Sequence, residues 1–325
     1  MNAAAYEADC PNLSDYRLFA DAANPLSNAN GGGVLYDLNT PLFTDYANKY
    51  RFIFLPEGTQ AAYRSSGVFD FPVGTIITKT FTIQEDLRDD GSAQDIIETR
   101  LLIHRSDGWK ALPYIWNQDK SDAVLTVTGG TQNVSWIDAA GESRNTDYVI
   151  PNTNNCANCH GSDNLLPIGP TARSLNKRFY YADGAENQLK HWSDTGILTG
   201  VPQDTDTIDS IPLWNDTSAS LDDRARGYLT PGGSGSTSGL YLEYTRAFGF
   251  DVGECKPPVA AGGGSGGRKH VIVPGDADAS ILAFRMDSNE SAVRMPEIGR
   301  SIIHTEGVAL INDWIDAMQE KNCSE

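Results

Sequence analysis

Between residues 34 and 150 the chain is broken into short β-branched and aromatic runs, and this pattern confines that stretch to a β-rich fold. The runs are "YRFIFL", "GTIITKTFTI", "ETRLLIH", "AVLTVTGG" and "NVSWIDAAGES", separated by clusters such as "RDDGS" and "DAAGE". Gly, Asp and Asn at those breaks are turn chemistry. Several short strands at this spacing predict an antiparallel sandwich or barrel-like domain over residues 1–150. After Pro151 the texture changes. "TARSLNKRFYY", "AENQLKHWSDTGIL" and "DDRARGYL" read as helices. "TEGVALINDWIDAMQEK" places Val308, Ile311, Trp314, Ile315 and Met318 on one helical stripe, with Thr305 as its N-cap. The expected class is therefore α+β, a β-rich N-terminal domain followed by a mostly helical region. Residues 151–215 and 216–325 form the two helical parts.

The densest chemistry lies in "NNCANCHG", residues 154–161. Cys156, Cys159 and His160 form C-x-x-C-H, the attachment signature of c-type haem. Two thiols add across the porphyrin's two vinyl groups, and the adjacent imidazole becomes the proximal ligand of the iron. A structural zinc site needs four ligands, and no second close Cys/His pair is present. A thioredoxin-like dithiol requires a βαβ context, whereas a β-rich stretch precedes this motif and a histidine follows it directly.

Thioether attachment takes place outside the cytoplasm in bacteria, so a periplasmic or extracellular protein is expected, its signal peptide removed. Cys10, Cys255 and Cys323 remain. Chain termini are often close in space, which favours a Cys10–Cys323 disulfide, with Cys255 competing for either partner. The net charge of -18 excludes a nucleic-acid binder, which needs clustered Lys and Arg. It favours a basic-surfaced redox partner instead. No apolar run approaches the ~18 residues of a membrane span. The segments "TPGGSGSTSG" and "AAGGGSGGRK" generate G-x-S-x-G and G-x-G-x-x-G matches, but without the strand and helix those motifs require.

A low-spin carrier needs a second axial ligand, usually His or Met. His104 falls on an expected strand, His270 after a basic loop, and His304 just before the last helix. His191, in "NQLKHW", lies on an amphipathic helix and is a candidate distal ligand. Met295, in "VRMPEIGR", is the alternative, because a Met-Pro loop before a final helix is how small cytochromes c present a thioether.

The segments "LDDRARGYL", "VPGDADASILAFRM" and "MPEIGRSIIHTEGVALINDWI" resemble a c-type cytochrome module. Nearly the whole chain is similar to an uncharacterised family of secreted bacterial c-type-cytochrome-like proteins. "YDLNTPLFTDYANKYRFIFLP", "FDFPVGTIITKTF", "NNCANCH", "NQLKHW", "DRARGYL" and "CKPPVAAG" carry that likeness. The resemblance implies a cytochrome c-like region over 216–325 and a second haem there. Its attachment motif is missing, because "RARGYLTPGGSGSTSG" runs from helix to loop without cysteine or histidine. Met295 is then either the distal ligand of the haem at Cys156 or the orphan ligand of a lost second haem.

Electron transfer through one covalent haem is the leading expectation, with Asn158, Gly161 and Leu166 lining the approach. The alternative is a peroxidase- or oxidase-like enzyme, or a small-ligand binder, whose iron keeps an open position near Arg173 or His191. In a third reading the β-rich domain binds carbohydrate through Tyr114, Trp116 or Trp136, though these aromatics also suit a core.

Overall fold

The computed structural model describes residues 5–26, 29–161, 165–232, 234–235, 239–259 and 262–323, without the side chains of 157–159, 232, 234–235 and 262–263. The fold is α+β with a β-rich domain. The chain divides into two units, Met1–Asn39 with Tyr46–Ser210, and Thr40–Asp45 with Ile211–Glu325.

The first unit is built on β1 (Val34–Tyr36), β2 (Asn48–Phe54), β3 (Ala61–Ala62), β4 (Ile76–Gln84), β5 (Gln94–Arg105), β6 (Gly108–Trp116) and β7 (Ala123–Leu125). All but β3 form one antiparallel sheet in the order β1-β2-β4-β5-β6-β7. A hairpin of β8 (Gly130–Ile137) and β9 (Ser143–Ile150) packs on it, where the Tyr148 hydroxyl donates to Glu98 at 2.9 Å. The expected β-rich domain is thus a six-stranded antiparallel sheet with a covering hairpin. Strands alternate faces, and one face buries Phe52, Phe54, Ile76, Leu101, Leu112, Tyr114 and Trp116. Threonines on that face are satisfied internally. Thr80 and Thr99 share a hydrogen bond of 2.9 Å, and the Trp116 indole donates to Thr99 at 3.0 Å.

The opposite face is covered at one end by α1 (Thr153–His160), which packs on β6. At the other end α2 (Ala172–Leu175), the β10–β11 hairpin (Arg178–Tyr181, Gly184–Asn187), α3 (Gln188–Asp194) and β12 (Leu198–Thr199, parallel to β3) follow in sequence. Leu189, Trp192 and Ile197 are buried with Tyr36, Ile53 and Phe69. The helix expected over "TARSLNKRFYY" stops at Leu175, and the residues from Arg178 pair as strands.

In the second unit α4 (Leu221–Leu229), α5 (Ile281–Met286) and α6 (Thr305–Asp316) enclose Ala225, Leu229, Leu282, Met286, Ile311, Trp314 and Ile315. Thr305 is the first residue of α6, and His304 takes the N-cap position. The segment "HVIVP" forms isolated bridges at His270, Ile272 and Val273. The segment Thr40–Asp45 belongs to this unit. The Asp45 carboxylate accepts the Ser301 and Ile302 N–H groups at 2.7–3.1 Å, and Phe43 stacks on His304 with ring centroids 4.1 Å apart.

The disulfide joins Cys255 and Cys323, which corrects the Cys10–Cys323 expectation. Cys10 lies in the first unit and Cys323 in the second, and Cys10 remains a thiol. Closing a loop with a sequence separation of 68 residues restricts the unfolded chain. Replacing both cysteines by serine is expected to cost about 4 kcal/mol, read as a fall in the denaturation midpoint of the non-reduced protein that reducing agent reproduces in the wild type. Among the described residues no helix is long and apolar enough to cross a membrane.

Candidate functional site: the C-x-x-C-H helix

Helix α1 begins directly after β9 because the chain carries its own start signal. Asn152 and Asn155 cap it reciprocally, the Asn155 N–H donating to Asn152 Oδ1 at 2.8 Å and the Asn152 N–H to Asn155 Oδ1 at 3.3 Å. This satisfies two of the donors a helix N-terminus leaves open. The Thr153 N–H donates to the Val127 carbonyl at 3.1 Å, fastening the helix to the loop before β8. Gly129 makes that approach possible. At φ +68° a Cβ there would lie 2.4 Å from the Ile150 carbonyl oxygen.

Cys156 and Cys159 sit one turn apart on α1, with His160 at its end. The Cys156 side chain is buried. The side chains of Cys159 and Asn158 lie outside the described residues. Past His160 the backbone turns through Gly161 at φ +107°, a region that favours glycine. Leu166 meets His160 twice. The Leu166 N–H donates to the His160 carbonyl at 2.8 Å, and His160 Nδ1 lies 2.7 Å from the Leu166 carbonyl. A carbonyl can only accept, so Nδ1 carries the proton and Nε2 presents its lone pair. Metal-bound histidines are commonly oriented in this way, with the second nitrogen held by a backbone carbonyl. Burial pushes the imidazole down to about 4, opposed by the Leu166 hydrogen bond and aided by the charges of Lys79 and Arg100. The ring is therefore neutral at pH 7, the form that ligates.

Beneath α1 the sheet presents a polar band. Arg100 grips Glu98 with two hydrogen bonds of 2.8 and 2.5 Å, and its guanidinium carbon lies 4.3 Å from the Phe81 ring centroid. Burial alone would lower Arg100, but Glu98 beside it outweighs this and holds it above the ordinary guanidinium value. Lys79 Nζ lies 4.8 Å from the same ring. A β-bulge follows Phe81, and it re-aims the strand next to this band.

The remaining expected site residues have partners of their own. His191 is in the first unit, buried on α3, with Nδ1 3.2 Å from Glu186 Oε2 and its ring stacked on Tyr181 at 3.5 Å. Met295 is in the second unit, where its thioether packs against the core and its N–H donates to the Arg285 carbonyl. Arg173 pairs with Asp209 at 2.9 Å. His104 stacks on Trp109 and bonds the Phe71 carbonyl through Nδ1, and His304 bonds the Tyr228 hydroxyl. Tyr114, Trp116 and Trp136 are core residues, so they cannot stack on a sugar. Leu166 and Ile168, on the loop that orients His160, are exposed at 40% and 52%.

Two thiols and an imidazole on one helix turn are the donor set that a covalently attached haem would use. Among the described residues no three His, Cys, Asp or Glu side chains converge as a metal's ligand set. Haem needs no such set, because the porphyrin supplies four nitrogens and the protein only axial groups. The surface depressions at Asn117–Asp119 and beside Leu13–Asn30 carry no comparable chemistry. No protein-family model, curated protein or solved structure matches the chain, so the site is read from its own geometry.

Proposed function

We propose that this is an extracytoplasmic c-type haem protein that carries electrons through one haem covalently attached at Cys156 and Cys159, with His160 as proximal ligand. One observation carries the reading: the Leu166 carbonyl holds Nδ1 of His160 and leaves Nε2 as a lone-pair donor, on the helix that bears both cysteines. Bound there, haem supplies a one-electron couple whose potential is set by its ligands and surroundings. The protein's part is to fix the imidazole's tautomer, to bury Cys156, and to keep the approach to the site open. The Leu166–Ile168 loop gives that approach an apolar rim, and the net charge of -18 steers a basic-surfaced redox partner toward the molecule. Export is supported by the C-x-x-C-H chemistry and agrees with the Cys255–Cys323 disulfide, a bond typical of oxidising compartments.

The test is the protein matured in a host competent for c-type haem. An intact mass raised by one haem, pigment that resists acid–acetone extraction, and sharp low-spin bands unchanged by carbon monoxide are expected. Extractable pigment or an unmodified mass would end the haem reading. A high-spin, carbon-monoxide-sensitive spectrum would keep the haem and replace electron carriage by ligand or peroxide chemistry at an open iron.

A further inference from the structure

The register of the sheet creates an arrangement that its own stability does not call for. Arg51 on β2 lies directly opposite Lys79 on β4, and Lys79 directly opposite Arg100 on β5. Like charges facing one another across strands are destabilising, and here three cations stand in one row. In the next row Lys49 faces Phe81, with its Nζ 6.0 Å from the ring centroid. Phe81 is thus approached by Lys49, Lys79 and Arg100 together.

Anions do not balance this row. Asp37 accepts from Arg51 at 3.0 Å and also from Lys177 at 2.8 Å, so one carboxylate serves two cations. Glu98 is fully buried and is shared by Arg100 and the Tyr148 hydroxyl. Among the described residues Lys79 has neither an ion pair nor a hydrogen bond, and its Nζ lies over the face of Phe81. Burial, followed by Arg51, Arg100 and Lys49, drives its amine well below the usual lysine range. The carboxylate that acts on Lys79, Glu98, is already bonded to Arg100, so keeping the half-buried amine charged is costly, and an anion bound beside it would favour the charged form.

We infer that Arg51, Lys79 and Arg100, with Lys49 at the margin, form a carboxylate-binding floor that receives the propionates of a haem held on α1. The floor adjoins that helix, since α1 packs on β6, β6 pairs with β5 so that Pro113 faces Arg100, and β9, the strand before α1, bonds Glu98 beside Arg100 through Tyr148. Haem carries two carboxylates, which are the counter-charges the row lacks. The inference rests on the covalent-haem reading, and its test separates the two.

Inorganic phosphate is titrated at constant ionic strength into the wild-type holoprotein and into a haem-free chain carrying Cys156→Ala and Cys159→Ala, each with and without Lys79→Met. Methionine keeps the buried stem of lysine, Lys79→Arg keeps the charge, and circular dichroism confirms folding of every variant. The haem-free chain is expected to bind phosphate, at least tenfold more weakly with Lys79→Met and with affinity restored by Lys79→Arg. The holoprotein is expected to bind none. In the holoprotein, Lys79→Met is expected to lower the haem midpoint potential, since losing a nearby positive charge favours ferric iron, and Lys79→Arg is expected to leave it near wild type. A haem-free chain that ignores phosphate, with a midpoint potential unmoved by Lys79→Met, would overturn the floor. Phosphate binding by the holoprotein that disappears with Lys79→Met would overturn the propionates as occupant and assign the floor to a free oxyanion. If the wild type carries no thioether haem, the parent reading fails on its mass alone, and phosphate binding by that chain decides whether the floor binds anions.

Discussion

The chain carrying both Cys156→Ala and Cys159→Ala is expected to emerge colourless from a host that loads the wild type with haem. Its intact mass should equal the polypeptide alone, a complete loss rather than a graded one. Each single variant should keep one thioether and therefore one unreacted vinyl group, which shifts the reduced haemochrome band to longer wavelength. The fold should survive. The Asn152–Asn155 cap and the bond from Thr153 to Val127 both hold α1 in place, and neither involves a thiol. An unchanged far-ultraviolet dichroism beside the lost pigment is the pattern to look for. Pigment that stays bound through acid–acetone in the double variant would contradict the assignment. His160→Ala should separate attachment from ligation, because both thioethers can still form while the iron loses the imidazole that Leu166 orients.

Replacing Arg300 by methionine is expected to be the most destabilising single change in the second unit, costing about 3–5 kcal/mol. The guanidinium is buried. It donates to the carbonyls of Arg285, Met286, Ser288, Met295 and Ile302 and to Asn289 Oδ1 at 2.7–3.3 Å. One planar fork thereby ties together the end of α5, the Met295 loop and the approach to α6. Methionine would leave those acceptors without a donor, and buried acceptors without partners are expensive. Arg300→Lys should recover only a small part, since an ammonium cannot span so many acceptors. The check is chemical denaturation, with the Arg300→Met midpoint compared against the wild type and Arg300→Lys. A loss within about 0.5 kcal/mol would show that the clamp is dispensable.

Much of the sheet was legible because strands with alternating β-branched residues announce themselves, and β2, β4, β5, β7 and β8 fall on the expected runs. Strand β6 was hidden by Pro113, which normally demotes a strand, and β9 by its polar start, "SRNTD". The β10–β11 hairpin was read as helix although "YADG" contains an Asp-Gly turn signal. The C-x-x-C-H motif was fully visible, since its meaning lies in local spacing. The cation row was not, because Arg51, Lys79 and Arg100 become neighbours only through strand register. Nor was Arg300, whose acceptors are backbone carbonyls that no sequence pattern names. The misassigned disulfide has a plain physical cause: nearness of termini is a property of one folded unit, and Cys10 and Cys323 belong to two.

The six residues Thr40–Asp45 carry a consequence for synthesis on the ribosome. They are made early, yet their hydrogen-bonding partners at Pro212, Ser301 and Ile302 are made late. Most of the first unit can emerge and pair its strands while this segment waits, an open stitch between β1 and β2. A gene cut after Ser210 would strand that stitch on one fragment and leave the other with the Ser301 and Ile302 amides uncapped, so the two halves should be more soluble expressed together than apart.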